Sequence, residues 1–542
     1  MHLVYDDIED IIKFVEDTVL KEAKKENRLT KQLLITMLSA SGNNPINLLI
    51  NAPSGVGKNY VINKVAELFP EKDILSLAGM TDKALFHRPG TLVIKNQYGE
   101  YESIENIIKE IDEQIADKEN DISNTNNRYT KQAFRSIIIE LKQEKKDLLK
   151  DARKLIDLSN KIIIFLDTPK ESLLAGLLPL LSHDKYEVEY EFTDTHNGIQ
   201  TRNNVLRGFP AVIIAQALDY SHSPRFPEYS RRFITTNPTI STEKFNEAVN
   251  LISNKFSVPD LIYQQTVVSD QEKDKAREII KGLREQIKDI CSNVKPGKNN
   301  VIIPFNESII GLLPKEKSED MTRANRLYTY LSFLPVVYFH NRPRITIVKP
   351  GDTIIQTIPI ATFEDLKNTV SLMEYSDGVR PYILEWYYDV LLKSYEGKGD
   401  TPDSKTTIKI NKKGEEFEEI LTEERVAVTS KDLIKKHKEQ HNEILTSHKL
   451  LQAYLYPLLN HGYIDSIDSN LDRRAKIYYP LIVTKKYINL FYLEEKNNLS
   501  QEMNKIVANS TTFPDQVFTL SVLQSILKYY SELGYIIDLL RN

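Results

Sequence analysis

Lys58 is the residue whose neighbours best equip it for chemistry. It ends the run Ala52, Pro53, Ser54, Gly55, Val56, Gly57, Lys58, and Asn59 and Tyr60 follow it. Small residues let backbone N–H groups turn inward as an anion nest, and a lysine beside them adds a point charge suited to a terminal phosphate. These residue types therefore point to polyphosphate binding. Two positions depart from the pattern G-x-x-x-x-G-K-[ST]. Ala52 stands at the first glycine, a mild change, and Asn59 stands where a hydroxyl would ligate Mg2+. An asparagine oxygen can also ligate a hard cation, so Asn59 is a metal candidate, though the substitution weakens ordinary metal binding. A plain strand–turn–helix corner with a surface lysine is the alternative.

Such a loop needs a buried strand before it and a helix N-terminus after it. Ile46 to Ile50 reads as that strand. Val61, Ile62, Val65, Leu68 and Phe69 fall on one face of a helix. A second acidic partner is expected at the carboxyl end of a neighbouring strand. KIIIFLDTP, 161–169, supplies it in Asp167, which would hold the metal directly or through water; a turn-capping aspartate is the alternative. Thr168 follows it, so the base that activates water is unassigned, with Glu171 and Asp184 the candidates nearest in sequence. GFPAVIIAQA, 208–217, reads as another buried strand carrying Gln216, either a sensor of the terminal phosphate or merely a polar strand end. Arg231 and Arg232 precede an apolar strand in PEYSRRFITTNP, 227–238. An arginine fork there could reach a phosphate bound by a neighbouring subunit, or the pair could form ordinary surface salt bridges.

At 542 residues the chain has room for three or four domains. Hydrophobic residues make up 41% and charged residues 27%, the balance of a soluble globular protein. A net charge of −5 gives no global pull on nucleic acid, so any such contact must be local. One cysteine, Cys291, excludes an intramolecular disulfide and a cysteine zinc cluster, which fits a reducing cytoplasm. No apolar run reaches the length of a membrane span, the start has no signal-peptide pattern, and no repeat of 20–50 residues is visible.

Residues 1–45 read as N-terminal helices and 46–260 as the core. Within the core, 103–158 reads as an inserted helical hairpin. Ile104, Ile107, Ile108, Ile111 and Ile115 mark one stripe, and Ile138, Leu141, Leu148, Leu149 and Leu155 the other. Its charges are a solvated face or a DNA- or partner-contacting arm. A β-hairpin is expected over 186–206. Residues 261–345 read as a helical lid, with Met321, Leu327, Leu331 and Leu334 inward and Arg323 and Arg326 opposite. A small helical and β segment spans 346–395, and 396–424 is a linker or mobile hairpin. Residues 425–483 read as helix, turn, helix and basic β-wing, with Ser430 capping the first helix. The contact edge would comprise His437, Lys438, His448 and Lys449, with Arg473, Arg474 and Lys476 near the wing tip. The segment 425–480 holds nine Lys/Arg against six Asp/Glu, only +3, so DNA contact and protein contact both stay open. The tail, 484–542, reads as helical.

In order along 40–483, NPINLLINAPSGVGKNY, KIIIFLDTP, LLPLLSHDK, TRNNVLRGFPAVI and EYSRRFITTNP resemble the AAA+-like P-loop ATPases of replication and mobile elements. More narrowly they resemble archaeal and phage-type helicase-like proteins, as do IPFNESIIGLLP, the arginine-containing helix 321–334 and DRRAKIYYP. The resemblance implies an α/β P-loop NTPase with a parallel sheet, an inserted helical hairpin, a helical lid and a C-terminal winged helix. It implies ATP on the loop 52–60 with Mg2+ at Asn59 and Asp167, and a homo-oligomer, a hexameric ring being one form. Family members usually carry Thr or Ser at the position of Asn59. The expected activity is an ATP-dependent, DNA-acting motor or switch of helicase-like or replication-initiator-like character. Two readings stand beside it. One is an ATP-binding regulator of DNA with little or no hydrolysis. The other is a nucleotide kinase, since PSGVGK resembles the guanylate kinase loop.

Overall fold

The computed structural model describes residues 8–52, 54–77, 90–194, 200–216, 231–239, 241–259, 262, 267–306, 309–310, 313, 318–349, 353–373, 381–460, 463–472, 474–481 and 536–540. Helices α1 (Ile8–Leu20) and α2 (Asn27–Ser39) come first. Strand β1 (Leu48–Asn51) leads into the glycine loop, and α3 (Lys58–Ala66) leaves it. The chain continues through β2 (Ile74–Leu77), β3 (Thr91–Lys95) and β4 (Tyr101–Ser103). Then come α4 (Glu105–Asn124), α5 (Arg128–Asp151), β5 (Arg153–Asp157) and β6 (Ile162–Phe165). Helix α6 (Glu171–Leu181), β7 (Glu187–Asp194), β8 (Gln200–Arg207), β9 (Ala211–Gln216) and β10 (Ile234–Thr236) complete this part.

Strands β10, β1, β9, β6 and β2 lie side by side in that order, all parallel. Their near-continuous apolar runs follow from burial on both faces. Alternate residues serve opposite cores, as the twofold period of a strand requires. Leu48, Ile50, Ile162, Ile164, Ile213 and Ala215 pack with α1, α2 and α3. Leu49, Ile163, Phe165, Val212 and Ile214 pack with Leu173, Leu174, Leu177 and Leu180 of α6.

A second, mixed sheet has the order β4, β3, β5, β8, β7 and is threaded between strands of the first. The expected β-hairpin is its β7–β8 pair. The expected helical hairpin is α4–α5, held by its own small cluster of Ile111, Ile115 and Ile138. Leu155 is not part of that stripe: it lies in β5, where it faces Thr91 and Val205. Ile107 and Leu149 are exposed, because a two-helix arm has only one shared face to hide side chains in.

The segment expected as a lid joins the main core. Helices α7 (Thr242–Ser257), α8 (Asp270–Cys291) and α9 (Ser318–Val337) follow β10. Ile279, Ile280, Leu283 and Ile287 of α8 and Leu327, Leu331 and Leu334 of α9 share one cluster with α1, α2 and the sheet. Met321, expected inward, is 73% exposed, in the first turn of α9. The side chain of Arg323 lies outside the described residues. Strands β11 (Arg344–Lys349) and β12 (Thr353–Pro359) pair antiparallel, and α10 (Phe363–Met373) follows.

The last unit starts earlier than expected. Pro381–Trp386, Tyr387–Leu392 and Lys393–Glu396 run on as one helix, α11. The expected linker contains an antiparallel ribbon, β13 (Ser404–Ile410) with β14 (Glu416–Thr422). Then come β15 (Val428–Thr429) and α12 (Ser430–His441). Ser447–Leu450, Leu451–Leu455 and Tyr456–Asn460 form α13, before β16 (Ile464–Asp468) and β17 (Lys476–Pro480). Strands β15, β17 and β16 form an antiparallel sheet, and Trp386, Leu391, Leu433, Leu450, Leu458 and Tyr478 fill one core beneath it. The cap of α12 is Thr429 rather than Ser430: its side chain accepts from Asp432 N–H while the Asp432 carboxylate takes Thr429 N–H, a capping box. The tail was expected to be helical, yet β18 (Ile536–Leu540) is a strand paired with β11; 482–535 lie outside the described residues. Among the described residues no helix is long and apolar enough to cross a membrane.

Candidate functional site

The glycine loop opens at the carboxyl end of β1, the edge where ligands bind open parallel sheets. The chain leaves β1 for the far edge strand β2, returns through β6 and β9, and crosses β1 to reach β10. The loop therefore sits at a topological switch point. Gly55 (φ 87°) and Gly57 (φ 91°) adopt the left-handed backbone that other residues resist. A Cβ at either would meet nothing within 4 Å, so the space in front of them is open. Ser54, Asn59 and Tyr60 are exposed, Val56 is half-buried, and Pro53 lies outside the described residues. The buried Ala52 donates its N–H to the Gln216 carbonyl at 3.2 Å and accepts from Lys58 Nζ at 2.7 Å. Burial lowers the pKa of Lys58 from the ordinary lysine value, and the nearby Asp167 carboxylate opposes that shift. An ammonium held this way gains from an arriving anion.

Asn59, Asp167 and Gln216 gather at the same edge. Asn59 Nδ2 donates to the carbonyl of Leu166 at 3.2 Å, which ties α3 to the residue before Asp167. Asp167 is exposed just past β6, and its Oδ1 accepts from Thr168 N–H at 2.8 Å. Gln216, 2% exposed, pairs with Asn51 across β1 and β9. Because β9 lies between β1 and β6, Gln216 stands between the Lys58 and Asp167 elements. Among the described residues there is no cluster of three His, Cys, Asp or Glu able to cage a metal. Mg2+ seldom uses such a cage; one or two protein oxygens, phosphates and waters suffice. Asn59 and Asp167 fit that donor set.

Three residues fall on the wrong side. Asp184, a candidate base, follows α6, which runs back from the carboxyl edge. The Leu181 carbonyl at its end accepts from Asn47 Nδ2 at 3.1 Å, at the start of β1. An eleven-residue helix spans about 16 Å, so Asp184 is removed as a base. The side chain of Glu171 lies outside the described residues. Arg231 and Arg232 precede β10, which runs parallel to β1 with Ile234 opposite Leu48. The Arg232 carbonyl accepts from Asn47 Nδ2 at 3.4 Å. Four residues of strand, about 13 Å, separate that edge from the loop. Neither arginine's backbone is on the loop's edge of its own chain.

In the C-terminal unit Lys438 lies in the last turn of α12, and His448 and Lys449 lie in the first turn of α13, capped by Thr446. Lys449 pairs with Glu443 at 2.8 Å on the surface. Arg474 and Lys476 are exposed at the β16–β17 turn, and Arg473 lies outside the described residues. His437 does not belong to this edge. It is 3% exposed and its Nδ1 accepts from the Trp386 indole at 3.0 Å, because this position of α12 faces α11. Burial, then His441, hold its pKa below the ordinary histidine value.

The sequence reading missed Glu26 and Lys244. Both are buried, they form an ion pair, and Lys244 Nζ also donates to the Val56 carbonyl of the loop at 3.0 Å. They are 218 residues apart, and no spacing rule connects them.

No protein-family model and no curated protein matches the chain. Among solved structures, a candidate ATPase from Cytophaga hutchinsonii is similar over 67% of this chain and 84% of its own, at 15% identity and a TM-score of 0.32. What the chain itself carries is a five-stranded parallel α/β sheet with a glycine loop and a lysine at its switch point.

Proposed function

We propose that the protein binds ATP with Mg2+ at the loop 52–60 and uses it to drive or gate an action on DNA. The observation that carries this is the gathering of Lys58, Asn59, Asp167 and Gln216 on one sheet edge, from α3, the chain after β6 and the end of β9. Lys58 would exchange its bond to the Ala52 carbonyl for phosphate oxygens, and Asn59 and Asp167 would hold the metal. Mg2+ would neutralise charge on the phosphates. Gln216 would meet a terminal phosphate or its attacking water. The arginines' distant edge suits a role across a subunit interface in a homo-oligomer, possible as a dimer or ring.

The DNA-acting half rests on the C-terminal unit. Its three helices over a three-stranded antiparallel sheet, with an exposed turn between the last two strands, support a winged-helix reading. Lys438, His448 and Lys449 would read the groove, and Arg473, Arg474 and Lys476 would touch phosphates. The net +3 of this segment makes the contact salt-sensitive.

A second reading is favoured by Asn59 and Thr168 together with the displacement of Asp184. These leave no described carboxylate positioned as base, as expected of an ATP-binding switch with slow turnover. Steady-state ATP hydrolysis, with and without single- or double-stranded DNA, separates the readings. DNA-stimulated turnover that Lys58→Ala abolishes supports the motor. ATP binding without turnover supports the switch, and absence of ATP binding removes both.

A further inference from the structure

The Lys244 ammonium has three acceptors around it: the Glu26 carboxylate, the Val56 carbonyl at 3.0 Å and the Thr239 carbonyl at 2.9 Å. Three N–H bonds are all an ammonium can make, so it is fully satisfied where it is buried. Glu26 is equally engaged, since its second oxygen accepts from Thr239 N–H at 3.1 Å. Burial pushes the Glu26 carboxyl's pKa up, and the opposing pull comes first from Lys244. Ser241 caps α7 and accepts from Lys244 N–H at 3.2 Å, which fixes the turn from which the side chain starts.

Val56 stands between two glycines of positive φ, a stretch with unusual freedom to turn its peptide planes. In a trans peptide the C=O of one residue and the N–H of the next point in opposite directions. A carbonyl of Val56 held inward by Lys244 therefore sends the N–H of Gly57 outward, toward the open side of the loop. We propose that Lys244, locked by Glu26, is a positioning residue that presets the Val56–Gly57 peptide so that the Gly57 N–H meets a bound phosphate. The same ammonium binds the segment after β10, so the loop's readiness is coupled to the strand that follows Arg231 and Arg232. This inference rests on the nucleotide reading of the loop.

The test uses the full chain. Val56–Gly57 is the only Val–Gly step in the sequence, so carbonyl-13C valine with 15N-glycine labelling identifies the Gly57 amide alone. Titration with inorganic tripolyphosphate and Mg2+ is expected to move that resonance. In a second preparation, Glu26→Gln with Lys244→Met removes both charges together while keeping an acceptor for Thr239. Replacing a buried pair as a unit is often neutral for stability, whereas removing one partner is not. This variant is expected to melt within a few degrees of wild type yet bind tripolyphosphate and ATP about tenfold more weakly or worse, with the Gly57 shift reduced even at saturation. A Gly57 resonance that stays still while wild type binds tripolyphosphate overturns the proposal, and so does a pair variant that binds as wild type does. Either result leaves the nucleotide reading intact. If the pair variant folds poorly, the Gly57 resonance of wild type decides alone. Wild type that binds neither ATP nor tripolyphosphate overturns the underlying reading itself.

Discussion

At the scale of residues, the site depends on a few atoms whose partners are on view. Lys58 is buried, donates to the Ala52 carbonyl of its own loop, and lies near Asp167. Lys58→Ala is expected to weaken binding of a labelled ATP analogue by about a hundredfold, the scale of a lost charge-assisted contact. Unchanged binding would remove the core of the proposed function. On the proposed function, Asn59 is the residue that would separate fast from slow turnover. Asn59→Thr restores the hydroxyl of the usual pattern and is expected to raise Mg2+-dependent ATP hydrolysis about tenfold over background, a change of about 1.4 kcal/mol in the barrier. If turnover does not rise, the missing base rather than the metal ligand limits the reaction. Lys58, Asn59 and Gln216 were legible in sequence because a short motif or a strand end marks each. Glu26 and Lys244 were not, because a buried ion pair between distant segments leaves no periodic trace.

At the scale of elements, the arm α4–α5 and the C-terminal unit make different demands. The arm's cluster is internal, with Ile111, Ile115 and Ile138 packing on one another rather than on the main core. Replacing the distal part of the arm, residues 120–136, with a short turn between α4 and α5 is therefore expected to leave the melting temperature within a few degrees and basal hydrolysis unchanged. Loss of DNA stimulation in that deletion would make the arm the contacting element. In the C-terminal unit, Trp386 and His437 form a buried hydrogen bond that needs the neutral imidazole. The folded pKa of His437 lies below its unfolded value, so the unfolded chain binds more protons in that window. Stability is full above the unfolded value near 6.5 and falls as pH drops from there toward the folded pKa. Trp386 is the only tryptophan, so its fluorescence reports this unit alone. Its denaturant midpoint should decline on acidification below about pH 6.5. His437→Ala, which also strands the indole N–H and opens a cavity, is expected to cost about 2–4 kcal/mol.

At the scale of the whole molecule, the question is what lies between copies. Arg231 and Arg232 occupy the edge opposite their own loop. If they act across an interface, Lys58→Ala and the double change Arg231→Ala, Arg232→Ala should each be inactive alone yet complement when mixed. Random dimers would recover about a quarter of wild-type turnover, because half the dimers are mixed and each of those has one intact site. Mixtures that stay inactive would detach the arginines from catalysis.

The local elements were legible in residue order alone: buried strands as apolar runs, the glycine loop by its residue types, the helical arm by its stripes. Each depends on neighbours within a turn or a strand, so the order of residues carries the information. Which edge each candidate occupies emerged only from the packed fold. It removed Asp184, sent both arginines to the far edge, buried His437, merged the expected lid into the core and made a strand of 536–540. Those outcomes depend on strand order and on packing between segments far apart in the chain. The contact of Lys244 with Val56 is one of them: it bridges 188 positions, and only a folded sheet brings its ends together.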